Sequence, residues 1–391
     1  MDALPNTCQV TVLGGGAAGM MAAWAAAKSH DVTIIDRNDR LGKKLSITGG
    51  GRCNLTYSAD VDNLLDNINV NARFLHSAFN AFGSGDTIEF FKKLSVPLKY
   101  ENNRVYPQSE RADDIVQAFE KALKIRNVRV RLNTHIQSAA SLMKETDILI
   151  IATGGKSYPK TGSTGDGYVF AKEFGHTIIQ PRPALAPIYG KFPANSNFNF
   201  AKLAGISVKN ARITIDKHVQ QGDLIFTHHG ISGPAAIALS RYVSPDKSVV
   251  IDFLPEMADF DAFLIEKFKS QPTRKIVNIL VDSLPNLPKN LIAHLLDVAA
   301  TASNVSKKQR VQIVETLKNF TFKIRKTADF NEAMITAGGV AVNEINPSTM
   351  QSKKARDLYF AGEVIDVDGM TGGFNLQIAF STGFLAGVSI K

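Results

Sequence analysis

A glycine-rich run near the N-terminus contains the residue types that predict chemistry most directly. Gly14, Gly16 and Gly19 follow an apolar stretch with the spacing G-x-G-x-x-G, and Asp36 comes 22 residues after Gly14. The first glycine permits a tight turn, the second lets the backbone approach a pyrophosphate, and the third lets a helix pack close to a strand. An acid at this distance binds a ribose hydroxyl. The pattern predicts a β-α-β unit that binds an adenine dinucleotide.

Two later segments also combine the end of a strand with glycine. Residues 152–155 (ATGG) end an apolar run, and residues 360–363 (FAGE) join a short apolar run to a glycine and an acid. Ligands of doubly wound sheets bind outside the carboxyl ends of the strands. Each segment alone is also typical of an ordinary turn, but together with the N-terminal run they favour contact with one cofactor. Glu363 is then placed to accept a hydrogen bond from a ribityl hydroxyl.

A third glycine segment, residues 371–376 (TGGFNL), precedes a predicted final helix over 375–390. Backbone N–H groups at such a helix start can face the pyrimidine edge of a flavin, where they favour the negative charge that develops on reduction. Taken alone, the glycine pair is a plain loop before a helix. In combination with the other segments it indicates a flavin site.

Composition and charge limit the class of protein. The chain has 391 residues, a formal net charge of +9 and 44% hydrophobic residues, which is typical of a globular protein. The cysteines, Cys8 and Cys53, exclude a disulfide framework, and no set of residues has the spacing of metal ligands. Neither a signal peptide nor a membrane-spanning run is visible, so we expect a cytoplasmic protein with no metal and no membrane partner.

The order of strand and helix patterns predicts an α/β fold with a divided nucleotide-binding domain. Prolines at 181, 183, 187 and 193 mark a change of pattern, after which alternating strand-like runs come first and helical periodicity follows. The glycine-rich strand pattern then returns near the C-terminus. The predicted domains are the first part of the nucleotide-binding domain (1–185), a β-rich insert (186–256), a helical insert (257–335) and the second part of the nucleotide-binding domain (336–391).

These motifs, with others between them, resemble those of a known family. The chain is similar to flavoproteins with two dinucleotide-binding domains and, more closely, to the bacterial NAD(P)/FAD-dependent oxidoreductases of the aminoacetone-oxidase-like and ribosomal RNA dihydrouridine synthase-like type. The motifs that carry the resemblance are GGGAAG (14–19), LGKK (41–44), GGGRCN (49–54), ATGGKSYP (152–159), TGSTGDG (161–167), FTHHGISGP (226–234), FAGE (360–363) and TGGFNL (371–376).

The resemblance implies a non-covalent FAD in a split Rossmann-like FAD-binding domain, with an inserted β-barrel-like domain and a small helical domain. The motifs and the resemblance together predict which residues contact this cofactor. They are Gly14, Gly16, Ala17, Ala18, Gly19, Asp36, Arg37, Gly42, Lys43, Gly50, Gly51, Ile136, Thr153, Gly154, Gly155, Gly362, Glu363, Gly373, Phe374, Asn375 and Leu376.

Four residues are candidates for catalysis. Arg52 and Cys53 belong to a segment that we expect to lie over the flavin, where Arg52 binds a substrate anion or the flavin carbonyl edge. Cys53 is either a small buried residue that supports the turn, which we favour, or a thiol that donates a proton to a reduced double bond. His228 and His229 are either an acid–base pair active near neutral pH or part of a packed loop.

Basic residues occur in two runs that have two interpretations. Such runs are usually solvated faces, but they are also the electrostatic signature of an RNA-binding surface. The first run is Lys121, Lys124, Arg126, Arg129 and Arg131. The second is Lys307, Lys308, Arg310, Lys318, Lys323, Arg325 and Lys326.

We therefore predict an FAD-dependent oxidoreductase that performs two-electron chemistry. The favoured reaction is NAD(P)H-driven reduction of an electron-poor C=C bond, with uridine in ribosomal RNA as the leading substrate. A flavin oxidase of a small amine such as aminoacetone and an FAD-containing RNA-binding or assembly factor are the alternatives. The chain contains one dinucleotide fingerprint, so the flavin is reduced by NAD(P)H that visits the substrate side, by a partner protein or by the substrate itself. The substrate is a small molecule or RNA, and no oligomeric state is favoured.

Overall fold

Two units make up the fold. The computed structural model describes residues 7–193, 196, 198–296 and 300–391. The first unit runs up to Pro183 and resumes from Met334 to Lys391, whereas the second unit is Ala184–Ala333. The chain thus leaves the first unit, builds the second, and returns.

The strands are short and are distributed over both units. In chain order they are β1 (Gln9–Leu13), β2 (Asp31–Ile35), β3 (Thr56–Tyr57), β4 (Ile68–Val70), β5 (Leu98–Glu101), β6 (Arg104–Pro107), β7 (Arg129–Arg131), β8 (Ile148–Ile151), β9 (Ile178–Ala184), β10 (Ile188–Lys191), β11 (Ser207–Ile215), β12 (His218–Thr227), β13 (Gly230–Ser232), β14 (Ser248–Asp252), β15 (Phe320–Thr327), β16 (Ile335–Val340), β17 (Leu358–Phe360) and β18 (Asp368–Gly369).

The helices cover the sheet of the first unit and form a cluster in the second. In chain order they are α1 (Ala17–Ala26), α2 (Val61–Asp66), α3 (His76–Ala81), α4 (Ser84–Lys93), α5 (Ala112–Ile125), α6 (Ala139–Leu142), α7 (Asp166–Glu173), α8 (Phe200–Leu203), α9 (Pro234–Leu239), α10 (Phe260–Ser270), α11 (Ile276–Ser283), α12 (Lys289–Leu295), α13 (Lys307–Lys318) and α14 (Phe374–Val388). Gly362–Val364 is a single turn of 3₁₀ helix, whereas the 3₁₀ segment Leu45–Gly51 is interrupted by non-helical backbone at Thr48, Gly49 and Gly50.

The first unit is built on a parallel sheet with the strand order β17-β8-β1-β2-β7. Each neighbouring pair is parallel, and β1 pairs with β2 on one side and β8 on the other. Every residue of β8 is buried, as expected for a central strand that is covered on both faces. The predicted α/β class with a Rossmann-like sheet is confirmed. The carboxyl ends of β1, β2 and β8 meet at one edge, where the predicted glycine segments begin.

Helices α1 and α14 pack together through residues with little or no side chain. A Cβ atom at Gly383 would lie 2.4 Å from the carbonyl oxygen of Ala18, and one at Gly387 would lie 2.4 Å from that of Ala22. Glycine therefore lets the backbones of the two helices approach to a distance that a methyl group would prevent. This contact fixes the position of α14, whose first turn carries predicted cofactor residues.

The second unit contains a closed antiparallel barrel with the strand order β10-β13-β12-β11-β14-β15. Along β15 the buried side chains of Phe320, Phe322 and Ile324 alternate with exposed ones, so one face of the strand packs into the barrel core. The β-barrel-like insert is confirmed as a barrel. The helices α10 to α13 lie in the chain between β14 and β15.

The barrel differs from the predicted insert boundaries in one respect. The segment 257–335, predicted as a helical insert, also contains β15, which closes the barrel by pairing with β14 and β10. The alternation of β15 is short and mixed with lysines, and its assignment depends on partners far away in the sequence. The helices are therefore inserted within the barrel segment rather than placed after it.

We expect that Gly383→Ala destabilises the protein because its new methyl group meets the Ala18 carbonyl. Overpacking of this kind costs about 1–3 kcal/mol. The measurement is chemical unfolding followed by circular dichroism. Gly85→Ala is the matched control, because Gly85 lies in α4 with no atom within 4 Å of an added Cβ. The control should be stabilised by about 0.5–1 kcal/mol through helix propensity. Equal stability of the two variants would contradict the close-packing account.

Candidate FAD site

A cavity with about 1370 Å³ of empty space, part of it open to solvent, lies at the carboxyl edge of the parallel sheet. Its walls come from the segments after β1, β2 and β8 and from the first turns of α14. The predicted cofactor residues that line it are Gly14, Gly16, Ala17, Ala18, Asp36, Arg37, Lys43, Ile136, Thr153, Gly154, Glu363, Asn375 and Leu376. The structure thus brings together segments that are more than 300 residues apart in the sequence.

The glycine loop after β1 has the geometry of a phosphate-binding turn. Gly14 has a φ of +102°, and a Cβ atom there would lie 2.5 Å from the carbonyl oxygen of Ala152. A Cβ atom at Gly19 would lie 1.8 Å from the carbonyl oxygen of Gly14, so this glycine allows α1 to pack against the strand. At Gly16, by contrast, no atom lies within 4 Å of an added Cβ.

The space beside Gly16 provides a test of whether a dinucleotide fits. Gly16 is the N-cap residue of α1 and makes no side-chain capping bond. The N–H groups in the first turn of a helix have no acceptor within the helix, and they carry the positive end of its dipole. Since Ala17 and Ala18 line the cavity, these donors adjoin it. The residues present fit a pyrophosphate group.

Asp36 holds the loop and lines the cavity. One carboxylate oxygen accepts a hydrogen bond from the Gly15 N–H at 2.6 Å, and the other accepts one from the Asn38 N–H at 2.7 Å. A carboxylate has about four lone-pair sites, so two backbone bonds leave acceptor capacity for a ribose hydroxyl. The acid therefore has two compatible tasks, to fix the turn and to bind the ligand.

Other predicted cofactor residues do not line the cavity. They are Gly19, Gly42, Gly50, Gly51, Gly155, Gly362, Gly373 and Phe374. At some of these positions a missing side chain permits close packing: an added Cβ would lie 2.4 Å from the Thr336 hydroxyl at Gly155 and 2.6 Å from Thr56 at Gly373. At Gly50 and Gly51, no described atom lies within 4 Å of an added Cβ. The contact of these residues with the cofactor stays a prediction.

Lys44 lines the cavity and was missed by the sequence analysis, which selected its neighbour Lys43. The Lys44 Nζ donates to a Glu363 carboxylate oxygen at 2.7 Å, and the other Glu363 oxygen accepts from the Thr336 N–H at 2.7 Å. About a fifth of each charged side chain in the pair is exposed. Lys43 pairs with Asp39, whose side chain is 69% exposed. Both lysines occur in one LGKK run, so only the turn geometry distinguishes them.

The loop Thr161–Asp166 is another part of the wall that sequence spacing did not assign to the cofactor. The Arg37 guanidinium pairs with the Asp166 carboxylate at 2.7 Å, and the Asn38 amide donates to the Thr161 carbonyl at 3.0 Å. The charge of Arg37 is therefore neutralised within the wall. These bonds attach the loop to the segment that follows β2.

Arg52 does not have the free guanidinium that the sequence analysis expected. It pairs with Glu101 at 2.8 Å and with Glu110 at 2.6 Å, and its side chain lies over the ring of Tyr106. The hydrogen bonds that Arg52 donates to the two carboxylates raise its pKa. Lys99 pairs with the same two glutamates, so the four charges cancel. All of these bonds are made by one guanidinium nitrogen, Nη2, whereas the buried Nε of Arg52 has no hydrogen-bond partner among the described residues. The role of Arg52 in binding a substrate anion or the flavin carbonyl edge stays a prediction.

Cys53 lies in the hydrophobic core with no exposed surface. Burial raises the pKa of its thiol to about 12. Cys53 has a φ of +57°, so it occupies a turn conformation that is uncommon for a residue with a side chain. Its burial is what the packing interpretation expects, and its role as a proton donor stays a prediction.

His228 and His229 lie in the second unit, at the turn between β12 and β13. The ring of His229 meets the edge of the Tyr189 ring, with 5.7 Å between centroids, and the carbonyl of His229 accepts from the Gly190 N–H at 2.8 Å. Both histidines are exposed. Their acid–base role stays a prediction.

Two negative observations apply to the part of the chain that the structure describes. No three of its histidine, cysteine, aspartate and glutamate side chains are grouped so that they could share a metal ion. None of its helices combines the length and apolar character needed to cross a membrane.

Comparison with known proteins agrees with this fold. The family model described as "HI0933-like protein Rossmann domain" matches residues 8–389. The chain is 31% identical to the 3-dehydro-bile acid delta(4,6)-reductase of Clostridium scindens, over 97% of this chain and 98% of that protein. It is also 31% identical to the ribosomal RNA dihydrouridine synthase of Escherichia coli strain K12, over 95% of each chain.

A solved structure shows the same fold. The 3-ketosteroid-delta4-(5alpha)-dehydrogenase of Rhodococcus jostii RHA1 superposes with a TM-score of 0.51 at 12% identity, over 100% of this chain and 98% of that one. At this identity the similarity concerns the fold alone.

The Rossmann-like sheet, the glycine loop and the cavity, taken with these relatives, define an FAD-dependent oxidoreductase. Within that class the chain belongs to the HI0933-like family, whose model covers nearly its whole length. The flavoprotein family predicted from the motifs is confirmed.

We expect that Gly16→Val abolishes retention of FAD without unfolding the protein. An added Cβ at Gly16 has no atom within 4 Å, so the new side chain has room to begin there, and it enters the space where a pyrophosphate would approach. The measurement is the flavin absorbance of the purified variant relative to its protein content, together with its circular dichroism spectrum. Gly85→Ala again serves as the control and should stay yellow. A stoichiometrically yellow Gly16→Val protein would refute the assignment of this loop.

We expect that Lys44→Met weakens FAD binding more than Lys43→Met does. The first change removes a cation from the cavity wall and leaves the Glu363 carboxylate uncompensated near an anionic cofactor. A tenfold rise in the dissociation constant, about 1.4 kcal/mol, is the expected scale. Titration of each apoprotein with FAD, followed by quenching of flavin fluorescence, measures it. A larger loss of FAD affinity for Lys43→Met would show that Lys43, and not Lys44, is the lysine that supports cofactor binding.

Proposed function

We propose that this protein is an NAD(P)H-dependent reductase of an electron-poor C=C bond, with uridine in ribosomal RNA as the leading substrate. The observation that carries the proposal is a dinucleotide cavity in a chain related over almost its full length to a delta(4,6)-reductase and to a dihydrouridine synthase. Both names describe the addition of two hydrogens across a double bond.

The proposed roles of the residues follow from the walls of the cavity. The Gly16 turn and the first N–H groups of α1 bind the pyrophosphate, and Asp36 binds the ribose. Lys44 and Glu363 lie beside the middle of the cofactor. When bound, FAD supplies two-electron transfer, and the protein contributes orientation and electrostatics.

The start of α14 is proposed to hold the flavin ring. Asn375 and Leu376 line the cavity, and the Asn375 side chain is fixed because its amide donates to the Gly369 carbonyl while its oxygen accepts from the Gly369 N–H, both at 2.9 Å. Phe374 lies behind them and stacks on Tyr57 at 5.0 Å. These contacts make the helix start rigid, which a cofactor needs if its ring is to meet a substrate in one orientation.

Charge favours RNA among the candidate substrates. The second unit, 184–333, has 19 lysines and arginines against 13 aspartates and glutamates, so it carries +6 of the net +9. A surplus of this sign attracts phosphate backbones. The relative from Clostridium scindens makes a conjugated steroid-like acid the second candidate. The cytoplasm, where both ribosomal RNA and nicotinamide donors occur, is the proposed location.

Anaerobic stopped-flow spectroscopy of the yellow protein tests the proposal. We expect NADPH or NADH to bleach the flavin absorbance, and unmodified ribosomal RNA to restore it faster than buffer does. Restoration by a conjugated enone but not by RNA would select the second candidate. The colourless Gly16→Val protein is the control for electron transfer that does not require FAD bound in the cavity.

Two other outcomes would overturn the proposal. Bleaching by aminoacetone with rapid recovery in air, and no bleaching by either nicotinamide, would identify an amine oxidase. An RNA-binding or assembly factor would give a different pair of results. The protein would bind RNA, but RNA would not reoxidise its flavin. A variant with a disrupted flavin site would still restore dihydrouridine to the ribosomal RNA of a deletion strain.

A further inference from the structure

The structure separates the cations of the second basic run into paired and unpaired groups. Arg310 forms a bidentate ion pair with Asp261, in which Nε donates to Oδ1 at 2.6 Å and Nη2 donates to Oδ2 at 3.1 Å. Lys318 pairs with Asp252 at 2.9 Å. Both are therefore committed to contacts within the second unit. The cations that follow them on β15 have a different environment.

Four exposed cations lie side by side on the outside of the barrel, and we call them the barrel ridge. In the antiparallel pairing of β10 with β15, Lys191 is opposite Lys323 and Tyr189 is opposite Lys326. Like charges on neighbouring strands repel each other, so this arrangement has a cost to the fold. The members of the ridge are Lys191, Lys323, Arg325 and Lys326.

A β-bulge increases the number of cations that the ridge exposes. The pairing register shifts between Tyr189 and Gly190, which leaves Arg325 as the extra residue of β15. A regular strand would turn Arg325 and Lys326 to opposite faces, yet both are exposed here. Bulges commonly re-aim side chains in this way. The irregularity therefore keeps Lys326 out of the barrel core and places it beside Arg325.

Few carboxylates neutralise the ridge. Asp246 pairs with Lys191 at 2.9 Å, but its side chain is 77% exposed, and such pairs are weak in water. Within the described residues, no carboxylate lies within 4 Å of the charged groups of Lys323, Arg325 or Lys326. Glu332, which is also nearby, accepts a hydrogen bond from the Tyr189 hydroxyl. The ridge keeps most of its positive charge.

The first basic run is less available. Arg126 lies over the Trp24 ring, 3.8 Å from its centre, and donates to the Trp24 carbonyl. Arg129 donates to the Thr33 hydroxyl at 3.2 Å. These contacts hold two of its cations against the first unit. The exposed members that have no such contact are Lys121, Lys124 and Arg131.

We propose that the barrel ridge is the surface that docks the phosphate backbone of the RNA substrate. This inference rests on the proposed function, because it assumes that RNA is the substrate. The ridge groups four exposed cations on two neighbouring strands of the barrel, and Lys191 is the one with a carboxylate partner among the described residues, while the Lys326 ammonium lies 5.5 Å from the centre of the Tyr189 ring. The first run instead spreads its charge over a helix and a strand. Phosphate contacts of this kind position the nucleic acid without reading its sequence.

The experiment is filter binding of unmodified ribosomal RNA to the FAD-loaded protein across a series of salt concentrations. The variant Lys323→Gln/Arg325→Gln/Lys326→Gln removes three ridge cations. Its matched control, Lys121→Gln/Lys124→Gln/Arg131→Gln, removes the same charge from the first run. We expect the ridge variant to bind at least about tenfold more weakly, with a slope of log K against log salt that is smaller by about two. The control should bind like the wild type.

Further arms separate the possible failures. Flavin content and circular dichroism verify that each variant is folded, and Lys323→Arg/Lys326→Arg keeps the charge and should keep the affinity. If the wild type binds RNA and both triple variants weaken it equally, the ridge proposal fails while the proposed function stands. If the wild type does not bind RNA, both fail. Binding to vesicles with one-third phosphatidylserine in preference to RNA would also overturn the proposal.

Discussion

The close approach of backbone to backbone around the β1–α1 loop is the constraint on which the rest of the cavity depends. Gly14 contacts the end of β8, Gly19 contacts Gly14, and Gly383 brings α14 against α1. A side chain at any of these positions would separate elements that must meet at one edge of the sheet. Gly16 differs from these glycines, because the space beside it is open and can admit a ligand.

Charge pairing is the second constraint, because it decides which cations can act on a ligand. Arg52 and Arg37 both look available in the sequence, but each pairs with a carboxylate from a distant segment. Lys44 also has a carboxylate partner, Glu363, yet that pair lies on the cavity wall. The same distinction applies in the second unit, where Arg310 pairs with Asp261 and Arg325 has no carboxylate within 4 Å among the described residues. The number of cations in a run therefore says little about how many remain free.

Particular residues show how far sequence reasoning reached. The glycine spacing and Asp36 predicted the β-α-β unit, the turn and the cavity position, because those roles depend on local backbone geometry. Cys53 and Arg52 were selected from a motif, yet their surroundings come from the core and from the β5–β6 hairpin, which the motif does not contain. Lys44 was missed because two adjacent lysines are equivalent until the fold of their turn is known.

The sequence by itself determined the α/β class, the split nucleotide-binding domain and the flavoprotein family, since apolar periodicity and glycine spacing are properties of neighbouring residues. Only the tertiary structure decided that β15 closes the barrel and that Gly155 and Gly373 pack closely against Thr336 and Thr56. It also decided which charged side chains are neutralised. These outcomes depend on contacts between residues far apart in the chain. Patterns among neighbouring residues do not indicate which distant residue will be in contact.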